Sequence, residues 1–516
     1  MGSGSVTGAE ALLLAVRDGG VDVCFANPGT TEMPLVAALD RVPGMRAVLG
    51  LQENVCTGAA DGFARIADRP AITVLHLGPG LANGLANLHN ARRARTPLVN
   101  VVGDHTSWHL PFDAPLTSDI AALAATVGTV HTVGGRGEIG LRTRQALDDA
   151  CRLLGVSTVI VPADHQQVSA PEPAGPPAVR PSRPPVGPDQ VTSTAARLRA
   201  GGRAVVLLGG NALTRSGQEA AARIAVGTGA QLYCETFPAR VERGGGLPAV
   251  DRLPYFPEVA LAALQDAEVV VTAGAGDPIA YFGYDGLPSS LARPAQLCRL
   301  ALPHQDAEQA LVELAALVGA EGGCEPCPQI DLPPDDAPLT GQVVGAVVAA
   351  ELPDGAIVSV EGGTSGYPFF TVSAAAPAHT VLTNTGGAIG QGLPCALGAA
   401  IAAPDRPVIA LQSDGSALYT AQSLWTMGRE RCNVTVLIAA NHAYGVLRTE
   451  LRRHGTTQCG PQASALTSLS DPPLDWVALA RGFGVPATRA GCVGQLRQSL
   501  TEAGNTDGPF LVEMAL

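Results

Sequence analysis

The sequence predicts an α/β protein built from three doubly wound parallel-sheet domains. Two observations carry that prediction. Hydrophobic residues make up 46% of the chain and aromatic residues only 4%, so the cores must be filled by Ala, Val, Leu and Ile, as in buried parallel sheets under Ala-rich helices. Short β-branched runs also alternate with longer Ala/Leu-rich stretches along almost the whole length, the spacing of strands each followed by a helix.

Strands are expected at 21–25, 71–77, 97–102 and 157–162, then at 203–208 and 268–273, and finally at 356–360, 407–412, 434–439 and 510–514. A helix opening near Gly8 should stop at the Gly19-Gly20 pair, a normal C-terminal signal. Two breaks divide the series. Residues 171–188 carry eight prolines and read as a stiff, extended linker; 321–335 is a second Gly/Pro-rich break. The domains are therefore expected at 1–170, 189–320 and 336–516.

Lys and Arg number 33 against 46 Asp and Glu, a net charge of −13 that repels nucleic acid and anionic membranes. The N-terminal segment has no basic region before its apolar run, and that run is too short to span a bilayer. The eleven cysteines are scattered, and Cys24, Cys395 and Cys432 lie in apolar runs where Cys acts as a small hydrophobe. Cys324 and Cys327 form a CxxC with no second ligand pair, so it does not read as zinc. A cytoplasmic location is expected.

The segment richest in chemistry is Ser413-Asp414-Gly415-Ser416, with Asn441 27 residues beyond Asp414. Asp414 follows one expected strand, Gly415 and Ser416 open a helix, and Asn441 ends the next strand. A strand end feeding a helix N-terminus offers free N–H groups to a phosphate. A carboxylate belongs there only if a cation lies between it and the anion. Asp414, the Asn441 amide oxygen and a backbone carbonyl (Ala443) supply oxygens of the octahedral shell that Mg²⁺ prefers. A lone Asp-Gly after a strand is often just a turn; the partner Asn at a second strand end tells against that here.

These residues resemble the diphosphate motif of the thiamine-diphosphate enzymes, GDG(S) followed by Asn, with Ser413 replacing the first Gly. Other segments resemble that family in its own order. Glu53, in Leu51-Gln52-Glu53-Asn54, fits the glutamate that bonds the aminopyrimidine and helps its exocyclic amine become the base that deprotonates the thiazolium. Asn27-Pro28-Gly29-Thr30-Thr31-Glu32 resembles a benzoylformate decarboxylase loop in which a hydroxyl, here Thr30, binds the substrate carboxylate. His76 matches a catalytic histidine of the decarboxylase branch, and Gly78-Pro79-Gly80 with Asn83 resembles an acetolactate synthase loop. Gly386 to Gly390 looks like the loop that bends the cofactor, Ile389 wedging between its rings and the Gly387 carbonyl accepting from the amine. Gly363 and Thr364, after Glu361, fit a second diphosphate loop, and Tyr444 would reach the diphosphate too.

The resemblance implies pyrimidine-binding, central and diphosphate-binding domains. It also implies decarboxylation of a 2-keto acid, followed by protonation or by ligation to a second carbonyl. The second histidine of the decarboxylase branch has no counterpart; Tyr281 or Phe282 stands near its place. His105, His109, Val446 and Glu450 are further pocket candidates, and an acid at 450 would suit a polar or cationic second substrate. Family likeness implies a homodimer or homotetramer whose sites are shared between chains. Two alternatives stand beside this reading: an NAD- or FAD-binding oxidoreductase, which would need a GxGxxG turn that the glycine-rich segments do not fit, and an inactive regulatory paralogue, which should have lost Glu53, Asp414 or Asn441.

Overall fold

The computed structural model describes residues 5–135, 137–173, 183–320, 329–456 and 458–516. The CxxC and parts of both Pro-rich breaks lie outside them. The first large sheet is fully parallel and runs in the order Arg46–Leu49, Val23–Asn27, Ala71–Leu75, Leu98–Asp104, Val156–Pro162, Gly128–Thr132. The second, also parallel, runs Asp251–Arg252, Gln231–Cys234, Ala204–Leu208, Val269–Ala273, Leu297–Ala301. The third runs Arg240–Arg243, His379–Thr383, Ala356–Val360, Val408–Ser413, Val434–Ala440, Phe510–Ala515, Ala487–Ala490.

The strands are near-continuous apolar runs because both faces are covered: Ala71–Leu75, Ala204–Leu208, Val269–Ala273 and Ala356–Val360 are buried at every position. Outside these sheets Ser5–Thr7 pairs antiparallel with Ser169–Pro171, and within them one pairing departs from the all-parallel expectation. Arg240–Arg243, reached from the second sheet, pairs antiparallel with His379–Thr383 at the edge of the third. The first helix, Gly8–Asp18, begins in a Thr7/Glu10 capping box and ends at Gly19.

The first and third sheets meet through two helices, Glu53–Ala67 and Gly392–Ala402. Their contact is glycine-lined: a Cβ on Gly62 would collide with the Cys395 carbonyl, and one on Gly398 with the Ala59 carbonyl. The helices thus approach backbone to backbone, which brings the strand ends of the two sheets within reach of shared loops. Among the described residues no helix is long and apolar enough to cross a membrane.

Candidate active site

Two clusters form at strand ends. The first belongs to the third sheet. Val408–Ser413 and Val434–Ala440 pair in parallel with Ser413 opposite Ala439, so Asp414 and Asn441 emerge at one edge. Asp414 is fully buried and accepts from the Gly415 N–H (2.9 Å) and the His442 N–H (2.7 Å). Burial raises its carboxyl above the usual carboxylate range, against the pull of those backbone donors. It has no ion pair among the described residues. Asn441 accepts from the Ala443 N–H (3.0 Å) and donates to Thr364 Oγ1 (3.2 Å), which joins it to the N-terminus of the helix Gly363–Val372. The Ala443 carbonyl accepts from the Gly445 N–H at 3.0 Å and has no second donor among the described residues.

Glycines fit this edge together. A Cβ on Gly415 would stand 2.6 Å from the Tyr444 ring, so Tyr444 lies directly over the Asp-Gly turn. A Cβ on Gly362 would stand 2.9 Å from Ser413 Oγ, which shows how Ser413 is accommodated: its neighbour gives the room. Ser416 turns its hydroxyl back to the Ser413 carbonyl (3.2 Å).

The loop at 384–392 is held from two sides. The Glu361 carboxylate accepts from the N–H groups of Gly390 (2.6 Å), Gln391 (3.0 Å) and Gly392 (2.9 Å). Burial lifts this carboxyl to about 7 despite those donors. From the first domain, Asn90 brackets Ala388 through both its N–H and its carbonyl, and Asn87 donates to the Gly390 carbonyl (3.2 Å). Gly387 and Gly390 have φ of 78° and 94°, left-handed values that favour glycine. Ile389 projects from this fixed loop, 36% exposed. Tyr281 meets the loop too, its hydroxyl 2.5 Å from where a Gly387 Cβ would be.

The second cluster lies at the ends of Val23–Asn27 and Ala71–Leu75. Glu53 is half-buried at the first turn of its helix, where the Gln52 side chain caps the Asn54 N–H (2.6 Å), and Glu53 Oε2 accepts from Asn83 (3.1 Å). Gly80 separates Glu53 from His76: a Cβ there would be 3.3 Å from Glu53 Oε1 and 3.5 Å from His76 Cβ. His76 Nδ1 bonds Glu32 Oε2 at 2.9 Å and lies 3.1 Å from Thr31 Oγ1.

Other expected site residues lie in different surroundings. The hydroxyl beside His76 belongs to Thr31; Thr30 is exposed and faces a separate shallow pocket with Met33, Arg41 and Gln166. The turn Thr30–Glu32 is a tight 3-10 segment, so adjacent hydroxyls point to different sides. Glu450 is not an open acid: Tyr284 donates to it (3.2 Å) and Arg453 lies at 3.7 Å. Val446 is 56% exposed on a helix, Gly445–Arg453, with no buried residue. Phe282 points outward, 54% exposed, whereas Tyr281 meets the loop at 384–392. His105 and His109 meet edge to face in a loop with Trp108 and Phe112, and neither bonds His76.

Family models match both ends of the chain: the N-terminal TPP binding domain of thiamine pyrophosphate enzymes over residues 6–123, and the C-terminal TPP binding domain over 363–514. The chain belongs to the thiamine pyrophosphate enzymes. That cofactor is thiamine diphosphate under its other name, and the assignment displaces the oxidoreductase alternative. A Mycobacterium tuberculosis protein with the provisional name acetolactate synthase large subunit IlvX is 47% identical, with 99% of each chain covered. The benzoylformate decarboxylase of Pseudomonas aeruginosa is 28% identical, with 97% of each covered. In fold, the chain is similar to a 4-hydroxybenzoylformate decarboxylase of Rhodococcus jostii, with a TM-score of 0.86 at 23% identity over 99% of both chains.

Within this thiamine pyrophosphate enzyme, sequence reasoning passed over four side chains. Glu361 looked like part of a phosphate loop, yet it serves the 390–392 turn. Asn87 and Asn90 belong to no motif singled out in the sequence and are fully buried. Glu32 was visible only as the last letter of a motif. The available signal was an acid or amide among apolar neighbours, where a buried polar group must have a partner.

Proposed function

We propose that this chain uses thiamine diphosphate and Mg²⁺ to decarboxylate a 2-keto acid, with the product carbon then protonated or joined to a second carbonyl compound. The observation that carries the reading is Asp414: a fully buried carboxylate with backbone partners only, beside Asn441 and the start of an uncapped helix. A buried acid in that state fits a cation, and the N–H groups of Gly363, Thr364 and Ser416 at the two helix starts fit the diphosphate that the cation would bridge. Asp414, Asn441 and the Ala443 carbonyl would hold the metal. The bound cofactor would supply an electron sink next to the carboxylate that leaves as CO₂. Ile389 and the Gly387 carbonyl would set its bend, and Tyr444 would close over its diphosphate. Glu53 would bond its pyrimidine, and His76 would handle a proton at the reacting carbon.

Two chains would build each site. Within one chain no hydrogen bond among the described residues joins Glu53 or His76 to Asp414, Asn441 or Thr364, and Trp108 and Phe112, in the loop after Leu98–Asp104 of the first sheet, are 67% and 73% exposed. A homodimer or homotetramer would bring the two clusters together. The nine described cysteines are all free and seven are buried, which supports a cytoplasmic location.

The test is reconstitution. Purified protein stripped of cofactor is titrated with thiamine diphosphate and Mg²⁺ while CO₂ release from pyruvate and from benzoylformate is followed. Turnover should return only with both additions, and Glu53→Gln should lose at least about 100-fold. Tight cofactor binding without turnover of either acid would favour the inactive paralogue and sink the proposed substrate class. The product, an aldehyde or a hydroxyketone, separates decarboxylase from ligase.

A further inference from the structure

His76 has a built environment that its proposed role does not by itself require. Glu32, at the end of the 3-10 turn Thr30–Glu32, is fully buried, and its carboxylate receives the Gly29 N–H (2.8 Å), the Thr31 hydroxyl (2.5 Å) and His76 Nδ1 (2.9 Å). Space is reserved for both partners. A Cβ on Gly29 would collide with the His76 ring, and one on Gly103, in the neighbouring strand Leu98–Asp104, would collide with Glu32 Oε1. The backbone that carries His76 is equally specified: Leu77, the next residue, is buried with φ 54°, a left-handed turn that takes the chain from strand to helix in one step.

The donor count settles the tautomer. Nδ1 faces two oxygens, Glu32 Oε2 and Thr31 Oγ1, and the single hydroxyl proton of Thr31 is already given to Glu32 Oε1. A lone pair on Nδ1 would meet a carboxylate and be repelled. The proton therefore sits on Nδ1 and leaves Nε2 as the outward nitrogen, with no hydrogen-bond partner among the described residues, on a side chain that is 23% exposed.

We infer that Glu32 is the positioning residue of this site: it fixes the tautomer and aim of His76, with Thr31 locking the carboxylate, so that Nε2 is presented to the reacting carbon. The inference rests on the proton-handling role proposed for His76. Glu32 itself touches no substrate; it acts through the ring, as carboxylates do behind other functional histidines.

The experiment uses holoenzyme with thiamine diphosphate and Mg²⁺, labelled with ¹⁵N-histidine, together with Glu32→Gln, Thr31→Val and His76→Ala variants. The wild type should show His76 protonated at Nδ1, its signal identified by its loss in His76→Ala. Glu32→Gln offers either an amide oxygen or an NH₂ group, so the ring should lose its single tautomer. Its kcat should fall at least about tenfold while KM and cofactor affinity stay within about twofold. Thr31→Val, which leaves the carboxylate in place, should lower kcat several-fold and keep the tautomer. A wild-type Nε2–H tautomer overturns the inference whatever the variants do. So does wild-type kcat in Glu32→Gln, or in Thr31→Val if Glu32→Gln fails to fold. If His76→Ala itself turns over normally, the role proposed for His76 has failed first; if it is crippled while Glu32→Gln is not, only the inference about Glu32 falls.

Discussion

Leu77 and His442 are non-glycine residues with left-handed backbone, φ 54° and 50°, and each directly follows a residue of the proposed chemistry, His76 and Asn441. Such a conformation costs about 1–3 kcal/mol and persists where the surroundings over-determine it. Here it holds a side chain at the sheet edge while the chain turns away beneath it. The sequence carries little sign of this, because Leu does not mark left-handed turns and a single His, though enriched there, does not specify one. Asp414 and Asn441, by contrast, are legible from type and spacing alone. Gly415 is the residue where type and contact meet. Gly415→Ala would put a methyl group against the Tyr444 ring and push it off the Asp-Gly turn. Thiamine diphosphate affinity in the presence of Mg²⁺ should weaken at least about tenfold, read by titration of cofactor-free protein. Unchanged affinity would mean that Tyr444 plays no part in closing the site.

At the scale of elements, strands buried on both faces announce themselves as apolar runs, and each expected one is present within a few residues. Strands that sequence reading passed over include short ones at or next to sheet edges, such as Arg46–Leu49, Gln231–Cys234, Leu297–Ala301 and Ala487–Ala490, and His379–Thr383, which is buried with His and Thr side chains hydrogen-bonded. The loop at 384–392 depends on Glu361 in a way that pH should reveal. Burial raises its carboxyl from an ordinary 4.5 to about 7, so the folded protein holds that proton more tightly than the unfolded chain. Its contribution to stability is complete below pH 4.5 and is lost as the pH rises through 7. Glu361→Gln should remove that part of the slope, seen as a flatter plot of urea midpoint against pH between 5 and 7 (about the span of the two values). Because Gln offers one acceptor to three N–H groups, the variant should also be less stable at every pH. A slope equal to that of the wild type would show that Glu361 does not titrate in this window.

For the whole molecule, one buried guanidinium joins all three units. Arg65 pairs with buried Asp61 in the first, and donates to the Ala239 carbonyl (3.2 Å) of the second and the Thr383 carbonyl (2.8 Å) of the third. Removing one partner of a buried pair leaves an uncompensated charge, typically at about 3–5 kcal/mol. Arg65→Met should therefore lower the denaturant midpoint strongly, and adding Asp61→Asn should recover part of the loss. Equal instability in single and double variants would mean that the bonds to the other units matter more than the charge. None of this could be read from the chain, where Asp61 and Arg65 look like a surface helix pair four residues apart.

The strand Arg240–Arg243 gives the molecule another kind of unity. A parallel sheet that ended at His379–Thr383 would show an open row of N–H and C=O groups, able to recruit any passing strand, and the central unit closes that row with its own antiparallel segment. The unit that looks most like a spacer is thus a lid on its neighbour's edge. Exchange of central units between relatives would succeed only where the incoming piece brings a matching strand. A chain without one would expose an adhesive rim, and it would be lost to aggregation before the active site was ever tested.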